Sequence, residues 1–572
     1  RYNVCYTDWH NCTPFEMDFW VKNQTSDGGW NLEFAAIDGS ITQKGIMTIG
    51  SITPDPTSFD SNISEDDTHF FATASELVGV TDQFLERTFD ADNDMYKITM
   101  QHADLNEILY NCSISETRAK MVQLNKNRCT QNLKLLEQIF KLRAQIANEL
   151  GYPTRSDHVL SDEMVETPET VYNFLHKVLE ELNPHTKNYI ELLKDFKIKC
   201  LQNGFNNKRR RIDTELNSYD LHYYHNRYLD ENYHLDTRKL PEYFPALHVI
   251  EKMLEFYSKM LNVSFKPETK LPVWHPDVIT YLVLDGNTEP LGYFYMDLYP
   301  REGKYTHFCE IGIIDGFQMD QKQVLPVVAF LGNFVSPCQD TPCLLNLNDI
   351  ETVFHEFGHV MHGICGASRN KYFELAGTKT ETDFVECPSQ MNEQWVMEPS
   401  ILKNLSHHYQ TGQQIPDSMI ESILATVHLG RSYYWSKITT MALFDLQVHH
   451  RGVSVSPKYM LELMSELLSK HLHYPFSGDI ISTWGHIGSD GYSSKYYSYV
   501  WTMALACDLY SRFRKAGPYN DKIGYEYRRK ILDPGGTRSG IEMIRDFLGR
   551  EPNLYSFLKY YIGVTPSNRN IA

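Results

Sequence analysis

The segment Glu351-Thr-Val-Phe-His355-Glu356-Phe-Gly-His359-Val-Met-His362 decides how the rest of this 572-residue sequence is interpreted. Apolar residues in and beside it recur at helical spacing: Ile350, Val353, Phe354, Phe357, Met361 and Ile364. The segment is therefore predicted to form an amphipathic helix with one buried face. Asp349 or Asn348 is the expected N-cap, because either side chain can accept a hydrogen bond from a free amide of the first turn.

Two histidines separated by one helical turn give this helix its chemical character. His355 and His359 project from the same face, so both imidazoles can bind a single metal ion. Neutral imidazole is a preferred zinc ligand, and Glu356 lies close enough to take a proton from a zinc-bound water. The structural alternative is an incidental histidine pair on a solvated helix, which the amphipathic pattern makes less favourable.

A catalytic zinc ion needs a third protein ligand, and several downstream carboxylates could supply it. On spacing alone, the acidic residues that remain open are Glu374, Glu381, Asp383 and Glu386. Pro388 indicates that Glu386 lies near the start of a second helix. His362 shares the first helix face, but it is two turns from His355 and would strain to reach the same metal.

The composition is that of an ordinary globular protein, with 42% hydrophobic and 22% charged residues. The length of the chain favours two or more lobes over a single core. A net charge of −19 argues against a nucleic-acid partner, which requires a basic surface. The basic run Lys208–Arg211 is interpreted as a solvated loop. No apolar stretch approaches the roughly 18 residues of a membrane span, so no membrane partner is expected.

The cysteine pattern bears on the cellular compartment. Eleven cysteines, an odd number without a CxxC pair, do not form the pattern of a disulfide scaffold. A reducing compartment is favoured, and we predict the cytoplasm. A secreted or vesicle-lumen location is the alternative, because Asn-x-Ser/Thr triplets occur at Asn11, Asn23, Asn62, Asn111, Asn262 and Asn404. The sequence begins with Arg1 instead of Met, which indicates a processed or incomplete chain.

Two regions differ in their patterns. Residues 1–56 are rich in glycine and proline and carry short β-like runs, so they are predicted to form strands and loops or to be poorly ordered. Residues 57–572 form the second region, which is mainly helical and whose internal boundary between lobes the sequence leaves open.

Local signals predict several elements of the second region. Thr167 is a favourable N-cap for one long helix, and Gly151 a favourable stop for the helix before it. Thr280–Leu284 and Gly292–Leu298 are predicted to form a hairpin. A further strand is predicted within Val324–Val335.

HEFGH at 355–359, followed by DFVECPSQM at 383–391, resembles the thimet oligopeptidase and neurolysin family of zinc metallopeptidases. The other segments that resemble this family are Leu240–Pro245, Phe294–Tyr305, Gly332–Phe334, Gly485–Trp501, Asp533–Gly536 and Phe547–Arg550. The resemblance runs from about Ser58 to about Gly563, and it does not include residues 1–56.

This resemblance implies a mainly α, two-lobed helical metallopeptidase with a deep central channel and a small β-rich insert. It implies one Zn²⁺ ion bound by His355, His359 and Glu386, which selects Glu386 among the open carboxylates. The interval between His359 and Glu386 is slightly longer than is usual in the family, which indicates a loop insertion.

The resemblance also implies that His486, Tyr492 and Tyr499 face the substrate. An O–H or N–H donor placed there can stabilise the oxyanion that forms when a peptide carbonyl is attacked. Gly488 and Gly491 would let this segment bend over a substrate. Without the resemblance, each tyrosine would be interpreted as core packing, since the sequence contains 36 of them.

The expected function is that of a monomeric, zinc-dependent endopeptidase for short unstructured peptides, with Glu356 as general base for a zinc-bound water. The enzymatic alternative is a carboxypeptidase that releases dipeptides from the same metal core. A peptide-binding protein without catalysis is a third hypothesis, which the intact Glu356 argues against. A catalytically impaired, truncated fragment is the fourth, and the unmatched residues 1–56 motivate it.

Overall fold

The computed structural model describes residues 2–7, 14–24, 30–38, 41–49, 56–204, 214–286, 288–301, 304–305, 308–319, 322–338, 341–476 and 478–566. The basic run Lys208–Arg211 therefore lies outside the described residues. The chain divides into two compact units, residues 1–63 and residues 64–572. The proposal that residues 1–56 form a region of their own stays a prediction.

The first unit contains a four-stranded antiparallel sheet in sequence order. Its strands are β1 (Tyr2–Thr7), β2 (Pro14–Gln24), β3 (Trp30–Asp38) and β4 (Ile41–Ile49). Apolar and polar residues alternate in the sequence of β2, as in Phe15-Glu16-Met17-Asp18-Phe19, which is the period of a strand. The helix α1 (Pro56–Ser64) follows the sheet.

The second unit begins with a helical region that includes a small three-stranded sheet. Its helices are α2 (Asp82–Thr88), α3 (His102–Asn111), α4 (Ser115–Lys126), α5 (Asn132–Glu149), α6 (Arg155–Leu160), α7 (Pro168–Gly204), α8 (Leu221–Tyr233) and α9 (Ala246–Leu261). Its strands are β5 (His69–Ala72), β6 (Phe89–Asp90) and β7 (Met95–Thr99). The predicted start of α7 is confirmed, because the Thr167 hydroxyl accepts a hydrogen bond from the Thr170 amide at 3.2 Å. Gly151, with a φ of 86°, follows α5 and confirms its predicted end.

A β-rich insert follows α9. Its strands are β8 (Val263–Pro267), β9 (Ile279–Asp285), β10 (Glu289–Asp297), β11 (Cys309–Ile314), β12 (Phe317–Met319), β13 (Lys322–Val324) and β14 (Val327–Leu331). Five of them form a sheet in the order β11-β14-β10-β9-β8, so β11 is an edge strand. The predicted hairpin is confirmed by the antiparallel pairing of β9 with β10. The strand predicted within Val324–Val335 is β14, which is shorter than that range because β13 ends at Val324.

The remainder of the described chain is helical. It contains α10 (Leu347–Ala367), α11 (Thr382–Val396), α12 (Pro399–Leu405), α13 (Asp417–Thr426), α14 (Arg431–Arg451), α15 (Pro457–Leu472), α16 (Gly485–Gly488), α17 (Ser498–Ala516), α18 (Asp521–Tyr527) and α19 (Gly540–Leu548). The predicted mainly α fold with a small β-rich insert is therefore confirmed. No helix in the described ranges is both long enough and apolar enough to cross a membrane.

The apolar face of α10 is part of the largest core of the second unit. Phe354, Phe357 and Met361 have no exposed surface. The ring of Phe357 lies 4.8 Å from that of Tyr257 on α9 and 5.6 Å from that of Phe294 on β10, measured between centroids. The predicted buried stripe is confirmed, and its packing fixes the orientation of the opposite, polar face of the helix.

Candidate metal centre and active site

Helix α10 begins earlier than the sequence pattern predicted. The side chain of Asn346 accepts a hydrogen bond from the Asp349 amide at 3.0 Å, and Asp349 accepts one from the Asn346 amide at 3.0 Å. This reciprocal pair is a capping box. The prediction of Asp349 or Asn348 as N-cap is therefore wrong, because Asp349 occupies the third helical position and serves as the partner of the cap.

The polar face of α10 brings its two predicted metal-binding histidines to one carboxylate of α11. Oε2 of Glu386 lies 3.2 Å from Nε2 of His355 and 3.0 Å from Nε2 of His359. One potential ligand atom from each of the three residues lies within 4.8 Å of the other two. Within the described ranges, this is the cluster of histidine, cysteine and acidic side chains that could hold a metal ion.

A glycine allows the two helices to approach this closely. A Cβ atom built on Gly358 would lie 2.5 Å from Nδ2 of Asn392 and 2.7 Å from Cα of Ser389, both on α11. Real Cβ contacts do not occur at such distances, so a larger side chain would push α11 and Glu386 away. Glu386 lies in the second turn of α11, and Pro388 follows it inside the helix, which agrees with the predicted position near the helix start.

The other candidate ligands have different partners. Asp383 accepts hydrogen bonds from the amides of Met164 at 3.0 Å and Val165 at 3.1 Å. Glu381 accepts one from the Gly540 amide at 3.1 Å. Glu374 lies in an exposed 3₁₀ turn, Phe373–Leu375.

His362 is fully buried below the cluster and does not belong to it. Burial lowers the pKa of its imidazole to about 3, so the ring is neutral. As the two-turn separation from His355 predicted, it is not placed as a ligand of the same ion.

A second carboxylate of α11 orients the first histidine. Oε1 of Glu393 lies 2.7 Å from Nδ1 of His355, on the side of the ring opposite Glu386. Glu351 on α10 lies one helical turn before His355 but does not take this role, because its nearest charged partner is Arg431 at 3.8 Å. Glu393 follows Glu386 by seven residues, which puts both on one helix face. This spacing is the feature of the sequence that identifies Glu393 as a candidate partner of His355.

Charge coupling holds this cluster together. Burial opposes the charged forms, but the carboxylates of Glu386 and Glu393 raise the pKa of His355 well above its usual range. Despite burial, His359 and His355 hold the pKa of Glu386 well below its usual range. The Glu386 carboxylate therefore attracts both imidazoles, whose Nε2 atoms are directed toward it.

Glu356 lies on α10 directly after His355. It is 6% exposed, and burial raises the pKa of its carboxyl. Among the described residues, its Oε2 atom has no hydrogen-bond partner. This oxygen lies next to a possible metal site and has a lone pair that no protein group occupies. It can therefore accept a proton from a molecule bound there.

The tyrosine-rich segment near the C-terminus places three side chains next to the ligand cluster: His486, Tyr492 and Tyr499. The Tyr492 hydroxyl donates to Oε1 of Glu386 at 3.3 Å, and the Tyr499 hydroxyl lies 3.1 Å from Nε2 of His486. The rings of Tyr492 and Tyr499 stack with centroids 5.7 Å apart. Gln390 ties this segment to α11, since its amide nitrogen donates to the Tyr499 carbonyl at 3.1 Å.

Known proteins are similar to this chain in sequence and in fold. The model of Peptidase family M3 matches residues 108–561. Saccharolysin from Saccharomyces cerevisiae (strain ATCC 204508 / S288c) is 34% identical over 88% of this chain and 72% of its own. Dipeptidyl carboxypeptidase from Escherichia coli (strain K12) is 27% identical over 77% of this chain and 63% of its own. A crystal structure of an oligoendopeptidase F shares the fold, with a TM-score of 0.54 at 12% identity, covering 89% of this chain and 72% of that one.

Proposed function

This chain belongs to peptidase family M3, as its sequence resemblance predicted, and we propose that it is a zinc-dependent endopeptidase for short unstructured peptides. Membership in the family makes it a metallopeptidase that acts on peptides. The proposal adds three points: the identity of the metal, cleavage at internal peptide bonds, and the roles of individual side chains.

The observation that carries the proposal is the convergence of His355, His359 and Glu386, with ligand atoms within 4.8 Å of one another. Two imidazole nitrogens and one carboxylate oxygen form a donor set typical of catalytic zinc. Glu393 supports the fit, because an outer carboxylate on Nδ1 of His355 fixes the ring and increases its basicity. Zinc held by these residues would act as a Lewis acid toward the peptide carbonyl and toward water.

Glu356 is the proposed general base. Its buried Oε2 atom takes a proton from the water that attacks the peptide carbonyl. The same carboxyl then delivers a proton to the departing amine nitrogen as the carbon–nitrogen bond breaks. Because Glu356 directly follows His355 on α10, the packing that fixes the ligand also fixes the base.

Two tyrosines receive different roles. Tyr492 holds Glu386 in orientation, since its hydroxyl donates to the Oε1 atom of that residue. Tyr499, paired with His486, is the proposed donor to the oxyanion. Burial raises the pKa of both tyrosine hydroxyls above the usual range, so both keep the proton that a donor needs.

The edge strand β11 is a suitable docking element for an extended peptide. Glu310 on this strand lies in the electrostatic field of His359 and Glu356, and burial raises its pKa to about 7. A Cβ atom built on Gly363 of α10 would lie 3.3 Å from Oε1 of Glu310, so the ligand helix packs beside this strand. Its outer side can pair with a substrate backbone in the manner of an added strand, which requires an unfolded peptide.

We also propose that the protein acts as a monomer in a reducing compartment such as the cytoplasm. The nine cysteines of the second unit, from Cys112 to Cys507, have free thiols, which agrees with such a compartment.

The dipeptide-releasing alternative makes a different prediction for the products. One peptide of about ten residues, prepared with a free C-terminal carboxylate and again as the C-terminal amide, separates the two activities. An endopeptidase cleaves both at the same internal bond, because it does not need the terminal carboxylate. Stepwise loss of dipeptides from the free acid, with the amide left intact, would establish the carboxypeptidase instead.

Metal analysis tests the rest of the proposal. The purified protein is expected to contain one zinc ion per chain by mass spectrometry. Removal of the metal with a chelator should abolish cleavage of the amidated peptide, and zinc should restore it. Full cleavage by metal-free protein would contradict the proposal. If the zinc-loaded protein does not cleave the peptide, a thermal melt with and without zinc distinguishes an impaired, unstable fragment from a folded protein.

A further inference from the structure

The segment from Gly485 to Tyr499 carries three side chains of the candidate site but has little regular secondary structure between Ser489 and Tyr497. Ordering such a segment costs conformational entropy, so specific contacts must fix it. The residue of this segment with a left-handed backbone conformation is Ser494, with a φ of 62°. The glycines at 488 and 491 do not adopt that conformation. A left-handed serine is strained, and strain of this kind persists only where the surroundings enforce it.

Asp445 on α14 supports the strained turn. Its carboxylate accepts hydrogen bonds from the amides of Ser494 at 3.1 Å and Tyr496 at 3.0 Å. Asp445 is 1% exposed, and its third contact is His449, whose Nδ1 lies 2.9 Å from Oδ1. The turn is thus fixed from one side by a buried, fully engaged carboxylate.

Two buried arginines fix the segment from the other side. Arg143 on α5 donates to the carbonyls of Ile487 at 2.9 Å and Gly488 at 2.8 Å. Arg155 on α6 donates to the Ser493 hydroxyl at 2.9 Å. These contacts engage the backbone at Gly488, so the flexibility that the glycines suggested is restrained in the folded protein.

Asp490 of the segment joins the two arginines. Its Oδ1 atom lies 2.8 Å from Nη2 of Arg155 and 3.3 Å from Nε of Arg143. The arginine side chains are 7% and 5% exposed, whereas the Asp490 side chain is 72% exposed. Two neighbouring buried cations repel each other and are poorly solvated, so the carboxylate that bridges them stabilises the arrangement by more than an ordinary surface ion pair would.

We infer that Asp490 is a positioning residue: its bridge to Arg143 and Arg155 fixes the conformation in which His486, Tyr492 and Tyr499 face the metal centre. The catalytic consequence rests on the proposed function, but the conformation of the segment can be measured without a substrate. Because the Asp490 side chain is exposed, the bridge can be removed without opening the core.

The test compares Asp490→Asn with Asp92→Asn, which removes one charge from an exposed acid in the turn at residues 91–94. In Asp490→Asn, amides of residues 487–496 should exchange with deuterium faster than in wild type, as measured by mass spectrometry. The kcat should fall between about tenfold and a hundredfold, as expected when reacting groups lose alignment, with KM within about twofold. Zinc content should not change, and Asp490→Glu should restore most of both losses.

The measurements separate this inference from the proposed function. Faster exchange in a protein that has no peptidase activity would support the positioning role and reject the proposed function. Exchange equal to that of Asp92→Asn would overturn the positioning role, whatever happens to the rate. A rise in KM with unchanged kcat would also overturn it, because Asp490 would then contact the substrate directly.

Discussion

At the scale of single residues, Glu356 is the most direct test of the mechanism, because its Oε2 atom is buried and unpartnered among the described residues. In Glu356→Gln, the amide fills the same space but cannot accept the proton. We expect kcat to fall by about a hundredfold or more, with zinc still bound. Steady-state kinetics and metal analysis on the same sample check this, and near-normal turnover with full zinc would contradict the assigned role.

The pair Glu393 and Glu351 tests which carboxylate orients His355. Glu393→Gln weakens the contact with Nδ1, so zinc affinity should fall between about tenfold and a hundredfold. Glu351→Gln is the matched control and should leave zinc affinity unchanged, since Arg431 is its nearest charged partner. Competition with a chromophoric chelator measures both, and equal effects in the two variants would reject the assignment.

Tyr499→Phe tests the proposed oxyanion donor. Loss of one such donor typically lowers kcat between about a hundredfold and a thousandfold, while KM changes little. Tyr496→Phe is the control, because the Tyr496 ring packs against Trp484, with the ring centroids 4.7 Å apart. A Tyr499→Phe enzyme within about threefold of the control would show that the hydroxyl only fills space.

At the scale of elements, the site depends on the close contact between α10 and α11. Gly358→Ala would force its Cβ atom into Ser389 at 2.7 Å, so α11 must shift and carry Glu386 away from the histidines. Overpacking of this kind costs about 1–3 kcal/mol of folding free energy and should also weaken zinc binding. Gly312→Ala is the control, since its nearest neighbour is 4.0 Å away. Denaturant melts and zinc titrations measure both effects, and a Gly358→Ala protein equal to the control would contradict this account of the helix contact.

At the scale of the whole molecule, zinc links two helices that are separated by a loop and should stabilise the fold that contains them. A ligand that binds only the native state at about a hundred times its Kd adds about 2.7 kcal/mol. We therefore expect metal-free protein to melt several degrees lower than zinc-loaded protein, by scanning calorimetry at one protein concentration. In Glu386→Ala, added zinc should produce little of this gain, and an undiminished gain would mean that another set of residues binds the metal.

The sequence alone determined the features that depend on neighbours in the chain. The spacing of His355 and His359, the apolar face of α10, the cap at Thr167 and the β9–β10 hairpin each follow from periodicity or from a local hydrogen bond. The family resemblance supplied the choice of Glu386 and the grouping of the tyrosines, which spacing had left open.

Only the tertiary structure decided which distant side chains serve the site. Glu393 orients His355 because α11 runs along α10, and the contact at Gly358 depends on the distance between two helix axes. Arg143 and Arg155 reach a segment more than three hundred residues later in the chain. Such contacts leave no periodic trace in the sequence, because packing of the whole second unit, and not any local preference, brings their partners together.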